Sequence, residues 1–412
     1  MDEARNQDNQ HALRVLEVLK KASKDLQNKP IFTRSDSETA IKALIELDTE
    51  ALRVLSTDPT LFNLSTLLCN LNTLVENLEK SQGYGLQSLL RRQLTNYKIT
   101  QVAKSIETEI QAWIDRDQVK KLVETLEESV DEDEKVKALV DFETRVSQGF
   151  NRDLQDLILK AKIFSMLEFI LCDSTCSKPI RERSGLVIAA LVRFNKDVFV
   201  GLVLMGRTIR ALISMASARS LQVLSSLIKL IKSPLVDEIE SNGEIPKIMS
   251  LLMGSEDLSI QVMAMECVLE IGYFERKEAV EAMLEEGLIE KLVELQRSEH
   301  GGDLAEMEQF DENGNGGTHV ETESKMEMEM EMESEERKIT GNHPFASCVA
   351  RFAIQLEVGE GLGQGERRAF KLEILRRLRE ASVSDAEAAT IVAEGPLVYV
   401  VIVDRALSRF EF

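Results

Sequence analysis

Aromatic residues are scarce in this chain. They make up 5% of its 412 residues, with a single tryptophan, Trp113, and only seven prolines. That shortage disfavours sandwiches and barrels and suits long helices of Leu, Ala, Glu and Lys. Cysteine gives no framework either, since the five residues at 69, 172, 176, 267 and 348 are odd in number and scattered. In a reducing compartment they are expected to stay as thiols. Cys172 and Cys176 lack the second pair or nearby histidine that a tetrahedral zinc site needs, so no metal is expected.

Long hydrophobic runs are missing too. The longest, GLVIAALVRFNKDVFVGLVLMG, is broken by Arg193, Asn195, Lys196 and Asp197 and cannot span a bilayer without burying charge. The first residues, MDEARNQDNQ, are acidic and polar, without the basic start and apolar centre of a secretion signal. A soluble protein of the cytoplasm, the nucleus or both is the expectation. Positive charge is in deficit: the formal charge is −21, which opposes a phosphate backbone and makes nucleic acid a poor partner. The basic cluster Arg91, Arg92 and Lys98 reads as the solvated face of a helix.

Catalytic groupings are also absent. His11, His300, His319 and His343 lie on no apolar face, and none is paired in sequence with a serine or cysteine nucleophile. Carboxylates are abundant but fall at helical spacing on solvent faces, and GEGLGQGE at 359–366 misses the spacing of a dinucleotide loop. No enzyme and no cofactor is expected.

What the chain does contain is helical period. Residues 11–26 carry Leu13, Val15, Leu16 and Leu19 on one stripe. A second helix is expected from Ser35, three residues before Glu38 in a capping box, and a third from about Leu61 to Leu78. The pattern from Leu86 to about Glu128 fits one long helix or two with a soft break near Arg116. These four make a bundle to about residue 130. The acidic run VDEDEK at 130–135 marks a joint.

Beyond the joint the sequence repeats. Gly243-Glu244-Ile245 followed by Ile248, Leu251 and Leu252 returns as Gly287-Leu288-Ile289 followed by Leu292, 44 residues on. AKIFSMLEFIL lines up with GEIPKIMSLL through Ile163/Ile245, Met166/Ile248 and Phe169/Leu251. A shift of 80 residues pairs Ile180 with Ile260, Ser184 with Ala264, Val187 with Cys267, Ile188 with Val268, Leu191 with Ile271 and Phe194 with Phe274 without a gap. Eighty is two repeats, and the unit between them starts near Gly206. A period near 40 without a strand inside it means a solenoid of stacked helices.

These repeats, at roughly 160–296, resemble armadillo repeats. NHPFASCVARFAIQLEVGEGL with REASVSDAEAATIVAE is similar to the close of a group of plant armadillo-repeat proteins, which are related in their repeat region to plant U-box ubiquitin ligases. The bundle resembles the helical domain that such ligases carry ahead of the U-box. No U-box is found here, so ligase activity is not implied. The resemblance implies a short helix and two longer ones per unit, with Gly-x-Ile opening the last. It also implies a groove lined by third helices. In armadillo proteins that import nuclear cargo, a Trp and an Asn on those helices hold a basic peptide; here Glu266 and Glu270 stand at those places, and Leu186 and Ala190 in the earlier unit. An acidic groove edge favouring a partner with Lys or Arg, or a plain solvated helix face, are the two readings of that pair.

Residues 298–338 hold fourteen acids against three bases, a local charge of −11, and are expected to be disordered. Asp311, Asn313 and Asn315 sit like the first ligands of an EF-hand loop, but Thr322 replaces the closing Glu, so a polar loop is expected. KMEMEMEMESEE reads as coil or frayed helix, with a docking segment as the alternative. The expected architecture is all-α: a helical bundle at 1–130, armadillo-type repeats at 131–296, an acidic insert at 297–343 and a last helical unit at 344–412. The expected function is a non-catalytic adaptor binding a protein or peptide in the groove formed by Leu186, Ala190, Glu266 and Glu270. The alternative is a regulatory component of ubiquitin transfer, with an enzyme or calcium sensor behind it.

Overall fold

The computed structural model describes residues 13–24, 27, 61–80, 86–274, 277–301 and 343–394. The helix expected from Ser35, the acidic stretch from 302 to 342 and the tail from 395 lie outside them. Among the described residues all regular structure is helical. Contacts divide the chain into two units, one of residues 1–138 with 150–163 and one of residues 139–149 with 164–412.

In the first unit, α1 (residues 13–24), α2 (Phe62–Lys80) and α3 (Leu86–Glu128) share one core. Leu61, Leu64, Leu68, Leu71 and Val75 are buried at alternating steps of three and four, as are Ile99, Ala103, Ile106 and Ile110 across from them. Leu16 and Leu19 of α1 close the third side. This spacing keeps one seam of each helix turned inward. α3 runs 43 residues without a break at Arg116. Its end is followed by α4 (Glu132–Ser147), whose first turn is Glu132, Asp133 and Glu134. The acidic joint is therefore short, because three of its carboxylates sit at a helix N-terminus, where the backbone dipole favours them. α5 (Arg152–Lys160), capped by Asn151 Oδ1 accepting from Leu154 N at 2.9 Å, packs on α3.

The second unit is built of stacked helix triplets. α6 (Ile163–Cys172) and α7 (Lys178–Phe194) come first. Then follow α8 (Lys196–Met205), α9 (Thr208–Met215) and α10 (Ala218–Ile231); α11 (Ser233–Ser241), α12 (Ile245–Gly254) and α13 (Leu258–Phe274); and α14 (Lys277–Glu285), α15 (Leu288–Arg297) and α16 (Cys348–Val358). α17 (Gln364–Ala381) and a helix at 385–394 close the stack. The first two helices of each triplet are short, eight to ten residues, and the third is longer at 11 to 17. This is an armadillo-type solenoid, with the expected lengths corrected: one helix of three is long, and Gly-x-Ile opens the second helix, not the last.

The turn glycines have two different causes. Gly243 and Gly287 have φ of 65° and 80°, the left-handed region that favours glycine. Gly206 does not; there a β-carbon would fall onto the Glu168 carboxylate. Glu168 Oε1 accepts from Arg207 N at 2.8 Å, Thr208 N at 3.1 Å and Thr208 Oγ1 at 2.8 Å, so a side chain of α6 caps α9 one unit later.

Third helices carry the core. α10 packs against α7 on one side and α13 on the other, and α13 packs in turn against α16. Buried Ser184 and Gly185 in α7 and Ala264 and Gly272 in α13 hold the faces close. A β-carbon on Gly272 would stand 3.1 Å from the ring of the fully buried Phe352, and one on Gly185 3.2 Å from Leu212. The buried thiols act across units too, Cys267 Sγ donating to Leu221 O at 3.4 Å and Cys348 Sγ to Leu292 O at 3.1 Å. The acidic insert enters the fourth triplet between α15 and α16, and its base is closed: His343 Nδ1 lies 2.8 Å from Gly301 O, and Phe345 N donates to His300 O at 3.0 Å. The fourth triplet is therefore interrupted, not ended, at Arg297.

Two outcomes follow from this packing. Gly272→Ala should lower unfolding stability by about 1–3 kcal/mol through overpacking, while Gly254→Ala, with nothing within 4 Å of the added carbon, should shift it by less than about 0.5 kcal/mol; denaturant titration followed by circular dichroism measures both. Burial raises the Cys267 thiol and pushes Cys348 up to about 12, so at pH 8 the folded protein should alkylate at exposed Cys69 and leave these two unmodified, as peptide mass mapping would show.

Candidate docking face

The lateral packing of α7, α10, α13 and α16 leaves one side of each of these helices facing away from the first and second helices, and those sides form one surface. Its backing is rigid because the inward residues Val187, Leu191, Leu224, Ile228, Val268 and Ile271 are all buried. Its outward positions are half-buried: Leu186 on α7, Gln222 and Ser226 on α10, Glu266 on α13, Arg351 and Gln355 on α16.

The four residues expected in a groove fall differently on this surface. Leu186 is half-buried and Ala190 is 3% exposed, so Ala190 has almost no surface to give a partner. Glu266 and Glu270 lie one turn apart on α13, and each has a basic partner within the stack. Lys229 of α10 reaches Glu270 at 3.5 Å, and Arg351 of α16 reaches Glu266 at 3.2 Å. The side chains of Glu270 and Arg351 are 9% and 12% exposed, so these pairs are partly desolvated, and removal of one partner would leave the other's charge buried without a counter-charge. Each carboxylate of this pair, read from the sequence either as an acidic groove edge or as a solvated helix face, is matched by a cation from a neighbouring third helix.

Arg351 also donates from its other terminal nitrogen to Pro344 O at 3.0 Å. One guanidinium therefore ties the base of the insert to α13. A third pair, Arg183 with Glu143 at 3.0 Å, extends the series to residues 139–149. Sequence reading missed Lys229, Arg351 and Arg183. The signal was present for two of the three, since Arg183 and Glu143 are 40 residues apart and Lys229 and Glu270 are 41, one repeat in each case.

Among the described residues no group of three His, Cys, Asp or Glu could hold a metal ion. Cys172 and Cys176 are half-buried, and Cys176 Sγ sits 3.7 Å from Asp173 Oδ2 in the turn before α7. Burial raises the Cys172 thiol, with nearby Arg207 opposing. In the first unit a shallow groove of 760 Å³ runs past Phe62, Thr66, Gln101, Lys104 and Glu109 without a buried polar group directed into it. Among the described residues no single helix is long and apolar enough to cross a membrane.

No family model matches this chain, and no curated protein matches it. Solved structures that resemble it include a designed armadillo repeat protein, YIII(Dq)4CqI, at 15% identity and a TM-score of 0.39, covering 68% of this chain and 98% of that one. Computationally designed armadillo repeat proteins for modular peptide recognition match at 17% identity and a TM-score of 0.38, over 68% of this chain and 97% of that chain. An engineered protein covers 93% of this chain at 15% identity and a TM-score of 0.38. The assignment of an armadillo-type solenoid rests on the triplet order and third-helix packing of this chain itself.

Proposed function

We propose that the chain is a non-catalytic adaptor that holds a protein or peptide partner along the face of α7, α10, α13 and α16. The observation that supports this reading is the continuity of that face: four third helices from successive triplets lie side by side, with buried backing and half-buried outward positions at each step. A stacked array of this kind offers an extended, preorganised surface, and preorganisation lowers the ordering cost of binding. Residence in the cytoplasm or nucleus belongs to the same proposal. Kinship with the repeat region of plant U-box ligases is proposed on the sequence phrases alone, and a supporting part in ubiquitin transfer goes with it.

Selection of peptides from a displayed library on the full-length protein tests the docking reading. Enriched peptides should lose about tenfold or more in affinity when Ser226→Tyr fills the middle of the face, and should be unaffected by Thr66→Ala in the groove of the first unit. Enrichment that maps to Thr66 or nowhere would end the proposal. The non-catalytic part is tested separately: the purified protein with a ubiquitin-conjugating enzyme and no added ligase should form no chains, and chain growth above the enzyme-only rate would make it a ligase.

A further inference from the structure

Third helices differ in charge from the rest of the chain, and they differ among themselves. α7 carries Lys178, Arg181, Arg183 and Arg193 against Glu182 alone, and α10 carries Arg219 and Lys229 against no acid. α13 has Glu266 and Glu270 and no base, while α16 balances Arg351 with Glu357. Of the first helices, α11 and α14 hold three acids each against a single base, Lys277, while α8 balances Lys196 with Asp197. Among the third helices of a chain of formal charge −21, the positive surplus therefore lies on two neighbours, α7 and α10; outside them α17 carries six bases against three acids.

Part of that surplus has no counter-charge in the fold. Arg183 is paired with Glu143 and Lys229 with Glu270, and Arg181 Nε donates to Leu171 O at 3.0 Å. Lys178, Arg193 and Arg219 are exposed and have no ion pair or side-chain hydrogen bond among the described residues. Lys178 and Arg219 also occupy the first turns of their helices. A helix N-terminus is positive and disfavours cations, so both residues stand where the backbone opposes them. Ser177, the N-cap of α7, makes no side-chain cap bond that would offset this. α7 and α10 hold the same place in successive triplets and touch at Gly185 and Val223, so their N-terminal ends share one edge.

We infer that this edge docks an acidic peptide segment of a protein partner. The inference rests on the docking reading above and names the chemistry of the partner. Carboxylates placed between Lys178 and Arg219 relieve two unfavourable cation-to-dipole contacts while meeting two unpaired charges, which no neutral or basic peptide does. A nucleic acid fits less well, because Phe194, the only aromatic residue on α7 and α10, is buried and no ring is left for a base to stack on.

Fluorescence anisotropy with a labelled Glu- and Asp-rich peptide and the full-length protein tests this. Binding should weaken about tenfold in the double variant Lys178→Glu/Arg219→Glu and should fall as salt rises, because the charges are exposed. Arg368→Glu, an exposed cation on α17, should leave it unchanged, with circular dichroism melting confirming the fold of both variants. Equal loss in Arg368→Glu would overturn the site. A Lys-rich probe that binds more tightly than the acidic one, or no binding of the acidic probe while library peptides still bind the face, would overturn the partner's charge and leave the docking reading standing. Tighter binding of a single-stranded oligonucleotide would give the edge to nucleic acid instead. Binding that emerges only when the acids of residues 302–342 are changed to amides would assign the edge to the chain's own segment.

Discussion

The second unit depends on the side-by-side packing of α7, α10, α13 and α16. Each is the long helix of its triplet; α10 and α13 bury apolar residues against the one before and the one after, and α7 and α16 close the series at its two ends. Close approach is the constraint that makes this possible. Ser184, Gly185, Ala264 and Gly272 keep the faces near enough for Phe352 and Leu212 to fill the space, and a single methyl group at Gly185 or Gly272 would have to displace them. Because neighbours alone supply the contacts, stability is distributed along the stack in units.

Polar ties reinforce the same neighbour relation. Thr208 with Glu168, Arg183 with Glu143, Lys229 with Glu270 and Ser233 Oγ with Phe274 O are separated by 40, 40, 41 and 41 residues. Such ties fix the register between successive triplets, since a slip of one turn would break several of them at once. They also spend charge internally, since both carboxylates of α13 are taken up in ion pairs with neighbouring third helices.

The repeat was legible in the sequence because it is written in apolar spacing and in turn glycines. The pairing of Val187 with Cys267 and of Leu191 with Ile271 is a pairing of fully buried positions, and packing leaves such positions little latitude. Phe169, paired with Leu251 by the same logic, is 64% exposed, so spacing alone overstates burial at the outer helices. The place of Gly-x-Ile within the triplet was misread, because the phrase marks a turn and not which helix follows. The site was least legible. Glu266 and Glu270 were visible as a pair one turn apart, but their partners are 41 and 85 residues away in sequence, and the second separation includes the insert.

The closed base of that insert has a further consequence for how the solenoid assembles. Other triplets join their second and third helices through two to five residues, whereas α15 and α16 are separated in sequence by residues 298–347. Loop-closure entropy rises by about 0.6 kcal/mol with each doubling of length, so this junction forms at a deficit of roughly 2 kcal/mol relative to its neighbours. The bonds between His343 and Gly301, Phe345 and His300, and Arg351 and Pro344 stand against that deficit at the mouth of the loop. Thermal fraying from the C-terminal end therefore has a natural stopping point one interface inward, at the seam where α16 leans on α13.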